Sequence, residues 1–128
     1  MNVLVDTHTL LWAGLSPELL SRRAAKTLAD PENTALVSAA SAWEIATKVR
    51  LGKLPGAEVF EREFLTSVEQ AGYLFLSIDA ATARRAGRLT GDHRDPFDRM
   101  IAAQALALDI PIVSSDLLLD SFSIRRIW

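Results

Sequence analysis

Short apolar runs recur along the chain, several closed by an acidic residue, and the stretches between them carry apolar positions at helical spacing. Asn2–Val5 predicts a buried strand that ends at Asp6 and feeds a helix through Leu10-Leu11-Trp12. Ser16-Pro17-Glu18 has the cap, proline, acid order of a helix start, predicting a helix that runs to Ala29 and gives way to a turn at Asp30-Pro31-Glu32-Asn33. Ala35–Ser38 reads as a second strand. Ser41-Ala42-Trp43-Glu44 then opens a helix whose apolar positions continue through Leu51 until Gly52 and Pro55 stop it. Val59, Phe60, Phe64, Leu65 and Val68 predict one amphipathic helix over Glu58–Ala71, closed by Gly72. Tyr73–Ile78 is a third strand, and Asp79 caps a helix ending near Gly87. Pro111 through Asp116 is a strand ending in an acid, and Phe122 and Ile124, alternating with polar neighbours, predict a last edge strand.

The stretch from His93 to Ala105 organises the rest. Asp95 is a good N-cap, Pro96 suits the first helical position, and Asp98 stands where a carboxylate meets the positive end of the helix. From Met100 the helix is almost wholly apolar, which predicts a covered, central position.

Strands alternating with helices imply a parallel sheet covered on both faces, hence an α/β fold. With 128 residues and neither repeats nor linkers, the expectation is a single domain over residues 1–128. In such sheets, sites form at the carboxyl ends of strands near the point where strand order reverses. Asp6 and Asp116 both fall at strand carboxyl ends.

Composition narrows the function classes. The chain is 49% hydrophobic and 23% charged, which is ordinary for a globular protein. It has no cysteine, so disulfide frameworks and thiolate metal sites are excluded. The aspartate interrupting the first apolar run argues against a signal peptide, and no apolar run approaches the ~18–20 residues of a membrane span. The expectation is a cytoplasmic protein. A net charge of −2 argues against generic basic nucleic-acid binding, although Arg84, Arg85, Arg88, His93 and Arg94 form a local basic group.

Each acid has a modest structural explanation. Asp6 suits a turn, Asp95 and Asp98 suit a helix start, Asp116 suits the cap of a turn at Leu117, and Ser41 with Glu44 has the spacing of a capping box. Glu44 nevertheless lies in an apolar turn, with Lys48 placed to pair with it one turn later. If Asp6, Glu44, Asp98 and Asp116 converge, two charges at about 6 Å and an effective dielectric of about 20 repel by roughly 3 kcal/mol. Six such pairs approach the ~5–15 kcal/mol of a whole domain's stability, so the cluster must protonate or hold a divalent cation. Carboxylate oxygens suit Mg²⁺ or Mn²⁺, and His8 and His93 read better as hydrogen-bonding loop residues than as ligands.

At Val5-Asp6-Thr7-His8, Ser41-Ala42-Trp43-Glu44-Ile45 with Gly52-Lys53-Leu54, His93 through Gln104, and Ser114-Ser115-Asp116, the chain resembles the PIN-domain family, and within it the toxin ribonucleases of the VapBC type. The likeness spans essentially the full length. It departs from the usual pattern at Ser114, where threonine is commoner, and at Thr90, where proline is common; neither change removes a carboxylate. The resemblance implies a three-layer PIN-like fold with about five parallel strands, and an acidic quartet at Asp6, Glu44, Asp98 and Asp116 that serves both as catalytic group and as metal site. It further implies supporting roles for Thr7, Asp95, Ser114 and Arg99, and Arg99 with Arg84, Arg85 and Arg94 is a candidate for gripping RNA phosphates. The implied activity is that of an Mg²⁺- or Mn²⁺-dependent endoribonuclease, with an RNA substrate, a homodimeric state and a small VapB-like antitoxin as partner. Leu10, Leu11, Trp12, Leu15, Phe60 and Phe64 are candidates either for an antitoxin groove or for the core.

Three other classes compete. An aspartyl-nucleophile phosphatase wants an acid where His8 stands, and a phosphoacceptor receiver wants a lysine where the late strand ends in Asp116. The remaining alternative is a non-catalytic PIN-like module whose acidic pocket docks a partner.

Overall fold

The computed structural model describes residues 1–91 and 93–128. Its centre is a five-stranded, wholly parallel sheet. The strands are β1 (Asn2–Val5), β2 (Thr34–Ser38), β3 (Leu74–Leu76), β4 (Ile112–Val113) and β5 (Arg126–Ile127), in the spatial order β3-β2-β1-β4-β5. Strand order therefore reverses at β1, whose two neighbours are β2 and β4.

The pleat sends alternate side chains of β1 to opposite faces. Val3 and Val5 join Val37 and Val113 under α1 (Thr7–Leu15), α3 (Ala39–Arg50) and α5 (Phe64–Gln70), against Leu10, Leu11, Ile45, Phe64 and Val68. Leu4 and Ile112 face the other way, against Ile101, Ala102 and Ala105 of α7 (Pro96–Leu108) and Leu119 and Phe122 beyond it. Helix α6 (Ala80–Arg88) packs along α7. Val3, Leu4, Val5, Ile101 and Ile112 are all fully buried, each contributing ~1.5–3 kcal/mol. The expected α/β sandwich, with α7 covered at its centre, is the fold observed.

Several predicted boundaries move. The helix expected from Ser16 to Ala29 is a single 3₁₀ turn over Pro17–Leu19, an extended Leu20, and then α2 (Arg22–Ala29). The break arises because Ser21 acts as a fresh cap, its Oγ accepting from the Ala24 N–H at 3.0 Å. The amphipathic stretch over 58–71 divides into α4 (Glu58–Arg62) and α5. At Glu63 the backbone opens to φ −101°, ψ 16°, yet its N–H still donates to the Val59 carbonyl, so the two pieces act as one bent rod. Phe122 lies in a 3₁₀ helix over Leu117–Phe122, not in a strand; the edge strand is β5, where Ile112 and Val113 pair with Arg126 and Ile127.

The assumed capping box also fails. Helix α3 begins two residues earlier than Ser41 because Ser38 is the cap, its Oγ accepting from the Ala40 N–H at 3.0 Å. Ser41 and Glu44 are thus interior residues on the buried side of α3, and the end of the helix offers Glu44 nothing to bind.

Candidate active site

The switch point between β1 and β4 is where the acids gather. β1 runs directly into α1, and the joint is Asp6, whose extended backbone (φ −73°, ψ 164°) makes it the helix cap. Its Oδ1 accepts from the Thr9 N–H at 2.8 Å, and its Oδ2 accepts from Ser114 Oγ at the end of β4. Ser114 Oγ in turn accepts from the Asp116 N–H at 3.0 Å, so one buried hydroxyl sets the spacing between two strand-end aspartates. Burial pushes the Asp6 carboxyl above its usual range, opposed by the hydrogen bonds from Ser114 and Thr9 and by the charge of His8.

Asp116 caps the 3₁₀ turn through Oδ1, which accepts from the Leu118 N–H at 3.0 Å, leaving Oδ2 for His93 Nε2 at 2.7 Å. The same Nε2 lies 3.2 Å from Asp98 Oδ2. Because His93 Nδ1 accepts from the Asp95 N–H at 3.3 Å, the ring proton between the two aspartates is the one on Nε2. His93 is buried, and its ring stacks on Phe122 with centroids 6.4 Å apart.

Helix α7 supplies the third carboxylate. Asp95 is its cap, with Oδ1 accepting from the N–H groups of Phe97 at 2.8 Å and Asp98 at 3.3 Å. Capping is therefore the work of Asp95, and Asp98 is left facing the other acids. Its carboxyl is pushed up to about 7, chiefly by burial and then by the charges of Asp95 and Glu44, with a smaller contribution from Asp6; His93 opposes the shift.

Glu44, only 1% exposed, approaches from α3. Lys48 donates to its Oε2 as the sequence spacing anticipates, while Oε1 is buried with no hydrogen-bond partner among the described residues. Partial burial works against the Lys48 charge, but Glu44, with Asp95 and Asp98 behind it, holds the ammonium above its ordinary range. Thr7 Oγ1 shares a 3.0 Å hydrogen bond with Ser41 Oγ, fastening α1 to α3 beside Asp6 and Glu44.

The four acids singled out in the sequence thus share one neighbourhood without being equivalent. The tightest group has one ligand atom each from His93, Asp98 and Asp116, all within 4.8 Å of one another. Asp6 and Glu44 lie close enough to act on Asp98 through their charge but fall outside that group. His93, expected as a hydrogen-bonding loop residue, is its third member and does bond Asp116; the identity of that partner was not readable from the sequence.

The donor set fits a hard divalent cation: several carboxylates, an unpartnered buried Glu44 oxygen, and an Asp98 whose charge the protein alone does not compensate. Asp6, Glu44, Asp98 and Asp116 could hold such an ion, while His93, with its proton on Nε2, serves as a strut.

Arg99 corrects an expectation. In place of facing an RNA phosphate, its guanidinium donates to the carbonyls of His93 (2.9 Å) and Leu89 and lies over the Phe122 ring at 5.7 Å. Those contacts make it a brace for the connection between α6 and α7. Leu10, Leu11 and Phe64 pack into the core, with Phe64 also reaching the floor of a surface cleft, whereas Leu15 is 45% exposed. That cleft, of about 450 Å³, lies between α3 and the α4–α5 rod, lined in part by Ala42, Ile45, Phe64 and Leu65.

Residues 3–123 match the family model described as PIN domain. A stretch of 57 residues is 47% identical to Ribonuclease VapC16 of Mycobacterium tuberculosis, covering 44% of this chain and 40% of that protein's length. Among solved structures, the chain resembles VapBC2 from Rickettsia felis, bound there to a DNA fragment from its promoter, at TM-score 0.72 and 15% identity over 98% of this chain and 97% of that one. VapBC-1 from nontypeable Haemophilus influenzae is similar at TM-score 0.65 and 16% identity, over 98% and 96% of the two chains. FitAcB from Neisseria gonorrhoeae is similar at TM-score 0.58 and 15% identity, over 97% and 95%. At those identities the structural likeness speaks for the fold.

Proposed function

The chain belongs to the PIN-domain family, and on that premise we propose that it is a divalent-metal-dependent endoribonuclease acting as the toxin of a toxin–antitoxin pair. The observation that carries this reading is the convergence of Asp98, Asp116 and His93 at the β1–β4 switch point, with Asp6 and Glu44 beside them.

Asp6, Asp98 and Asp116, with the free Glu44 oxygen, are the residues that would hold Mg²⁺ or Mn²⁺. Such a cation, when bound, polarises a phosphate oxygen and makes water a better nucleophile near neutral pH. Around it the chain's own groups set positions. Ser114 orients Asp6 relative to Asp116, His93 orients Asp116 relative to Asp98, and the Thr7–Ser41 bond holds α3 against α1. Asp95 fixes the first turn of α7 and so the direction of Asp98. The exposed Arg84, Arg85 and Arg94 are the candidates for phosphate contacts, which position a strand without reading its sequence.

As in the VapBC complexes whose fold it shares, the proposed partner is a small VapB-like antitoxin. The cleft beside the α4–α5 rod, where Ala42, Ile45, Phe64 and the 65%-exposed Leu65 are joined by Glu61, Arg62 and Glu63, offers it a part-apolar, part-charged seat. We take residues 1–128 as one working domain, homodimeric and cytoplasmic; no helix among the described residues is long and apolar enough to cross a membrane.

Cleavage of unstructured RNA with Mg²⁺, Mn²⁺ or EDTA, beside Asp98→Asn, tests the reading. Metal-dependent cutting that falls at least ~100-fold in the variant is expected, as for loss of a main electrostatic element of a site. Absence of both cutting and metal binding would favour a non-catalytic acidic pocket that docks a cationic side chain, as Glu44 already does with Lys48.

A further inference from the structure

Trp43 and Phe97 form an edge-to-face aromatic pair, ring centroids 4.8 Å apart with an interplanar angle of 74°. Each immediately precedes a carboxylate of the site: Trp43 stands before Glu44 on α3, and Phe97 before Asp98 on α7. The pair therefore bridges the two helices at the edge of the acidic cluster. Trp43 is 63% exposed, although tryptophan has more apolar surface to hide than any other side chain. Its partner is held by the helix cap, since the Phe97 N–H donates to Asp95 Oδ1 at 2.8 Å.

We infer that this pair is a stacking platform for a base of single-stranded RNA next to the scissile phosphate, a substrate-positioning site that deepens the ribonuclease reading and rests on it. Charge is the first reason. The chain carries a net charge of −2 and its site is lined by carboxylates, so the phosphate backbone meets repulsion close to the reaction centre. Beyond the cation and the arginine contacts proposed for the phosphates, an interaction that is indifferent to charge adds affinity at this edge, and every base offers a π-face. Geometry is the second reason. A rigid ring pair loses little conformational freedom on binding, and its two members are fixed to the same turns that aim Glu44 and Asp98. A base seated on Trp43 would register the neighbouring phosphate over those acids. Arg99 is committed to the His93 and Leu89 carbonyls, so the Trp43 ring does not compete with it for a base.

The test is steady-state cleavage of unstructured RNAs with Mg²⁺ by wild type, Trp43→Ala, Trp43→Leu, Trp43→Phe and Phe97→Leu, each at several salt concentrations. Oligomeric state is measured for every protein by light scattering. Stacking on one base is worth about a tenfold change, equivalent to ~1.4 kcal/mol. The expected result is a rise of about tenfold in KM for Trp43→Ala and Trp43→Leu, with kcat little changed and the salt slope that of wild type. Trp43→Phe should recover most of the loss, because a phenyl ring stacks and a leucine of similar apolar bulk does not. Wild-type kinetics in Trp43→Ala would overturn the inference while leaving the ribonuclease standing. A loss that Trp43→Leu repairs, or one accompanied by dissociation into monomers, would overturn it in favour of a contact between copies of the chain. A wild-type protein that cuts none of the RNAs would overturn the ribonuclease reading and the platform together.

Discussion

Asp98 concentrates the tension in the fold. It sits in the first turn of a helix that Asp95 already caps, it is largely shielded from water, and it faces the charges of Asp95 and Glu44. Its proton affinity rises from an ordinary carboxylate value, 3.8, to about 7. A raised folded-state pKa means that the native protein keeps a proton the unfolded chain has lost. The associated stability is fully present below pH 3.8, declines as pH rises, and is gone above about 7. Buried Asp6 shifts in the same direction. Melting temperature in EDTA should therefore fall between pH 5 and 8, and Asp98→Asn should flatten most of that slope. The variant should also melt higher than wild type at pH 8, by roughly 2–6 °C if about 1 kcal/mol of repulsion is relieved. Equal pH slopes in the two proteins would mean that Asp98 is not under this strain.

Elements were legible where a local chemical signal fixed them. β1, β2 and the caps at Asp79 and Asp95 follow from apolar runs and side-chain oxygens acting on their own neighbourhoods, and the structure agrees. Misplacements occurred where two local signals competed. Ser38 and Ser41 both look like caps for α3, and only the end of β2 decides that the first of them is used. Ser16 and Ser21 compete in the same way ahead of α2. Phe122 and Ile124 show strand-like alternation, but Asp116 starts a 3₁₀ helix that swallows the first of them. Of the candidate site, the convergence of the carboxylates was readable because Asp6 and Asp116 end apolar runs and Glu44 lies in an apolar turn, where an isolated acid is costly to bury. His93 was legible as a hydrogen-bonding loop residue, though not its partners, and the bracing role of Arg99 was not, since its bonds to the Leu89 and His93 carbonyls depend on tertiary structure. Arg99→Ala removes two hydrogen bonds to carbonyls and a ring contact, which should cost ~1–3 kcal/mol of stability. If Arg99 is a brace, the salt slope of RNA binding is unchanged by the substitution. A slope reduced by about one would make it a phosphate contact after all.

At the scale of the whole molecule, the topology makes the site. A β3-β2-β1-β4-β5 order leaves β1 and β4 adjacent while the connections that follow them depart in different directions, opening a crevice at their carboxyl ends. Asp6 and Asp116 enter it from the strands, and Glu44 and Asp98 from the helices α3 and α7 that flank it. The Ser114 hydroxyl, the His93 imidazole and the Lys48 ammonium bind these acids directly, and the Thr7–Ser41 hydroxyl pair joins α1 to α3 beside them. The fold is thus stable with mutually repelling groups in place, and a divalent cation is the charge that would relieve them together.

The most direct measurement is calorimetric titration of the metal-free protein with Mn²⁺ at several pH values, for wild type, Glu44→Gln and Asp98→Asn. The expected result is binding by wild type that strengthens as pH rises through about 7, where Asp98 gives up its proton, and at least ~10-fold weaker binding in both variants. No binding by wild type at pH 8, or variants that bind as tightly as wild type, would contradict the claim that these acids are assembled around a cation.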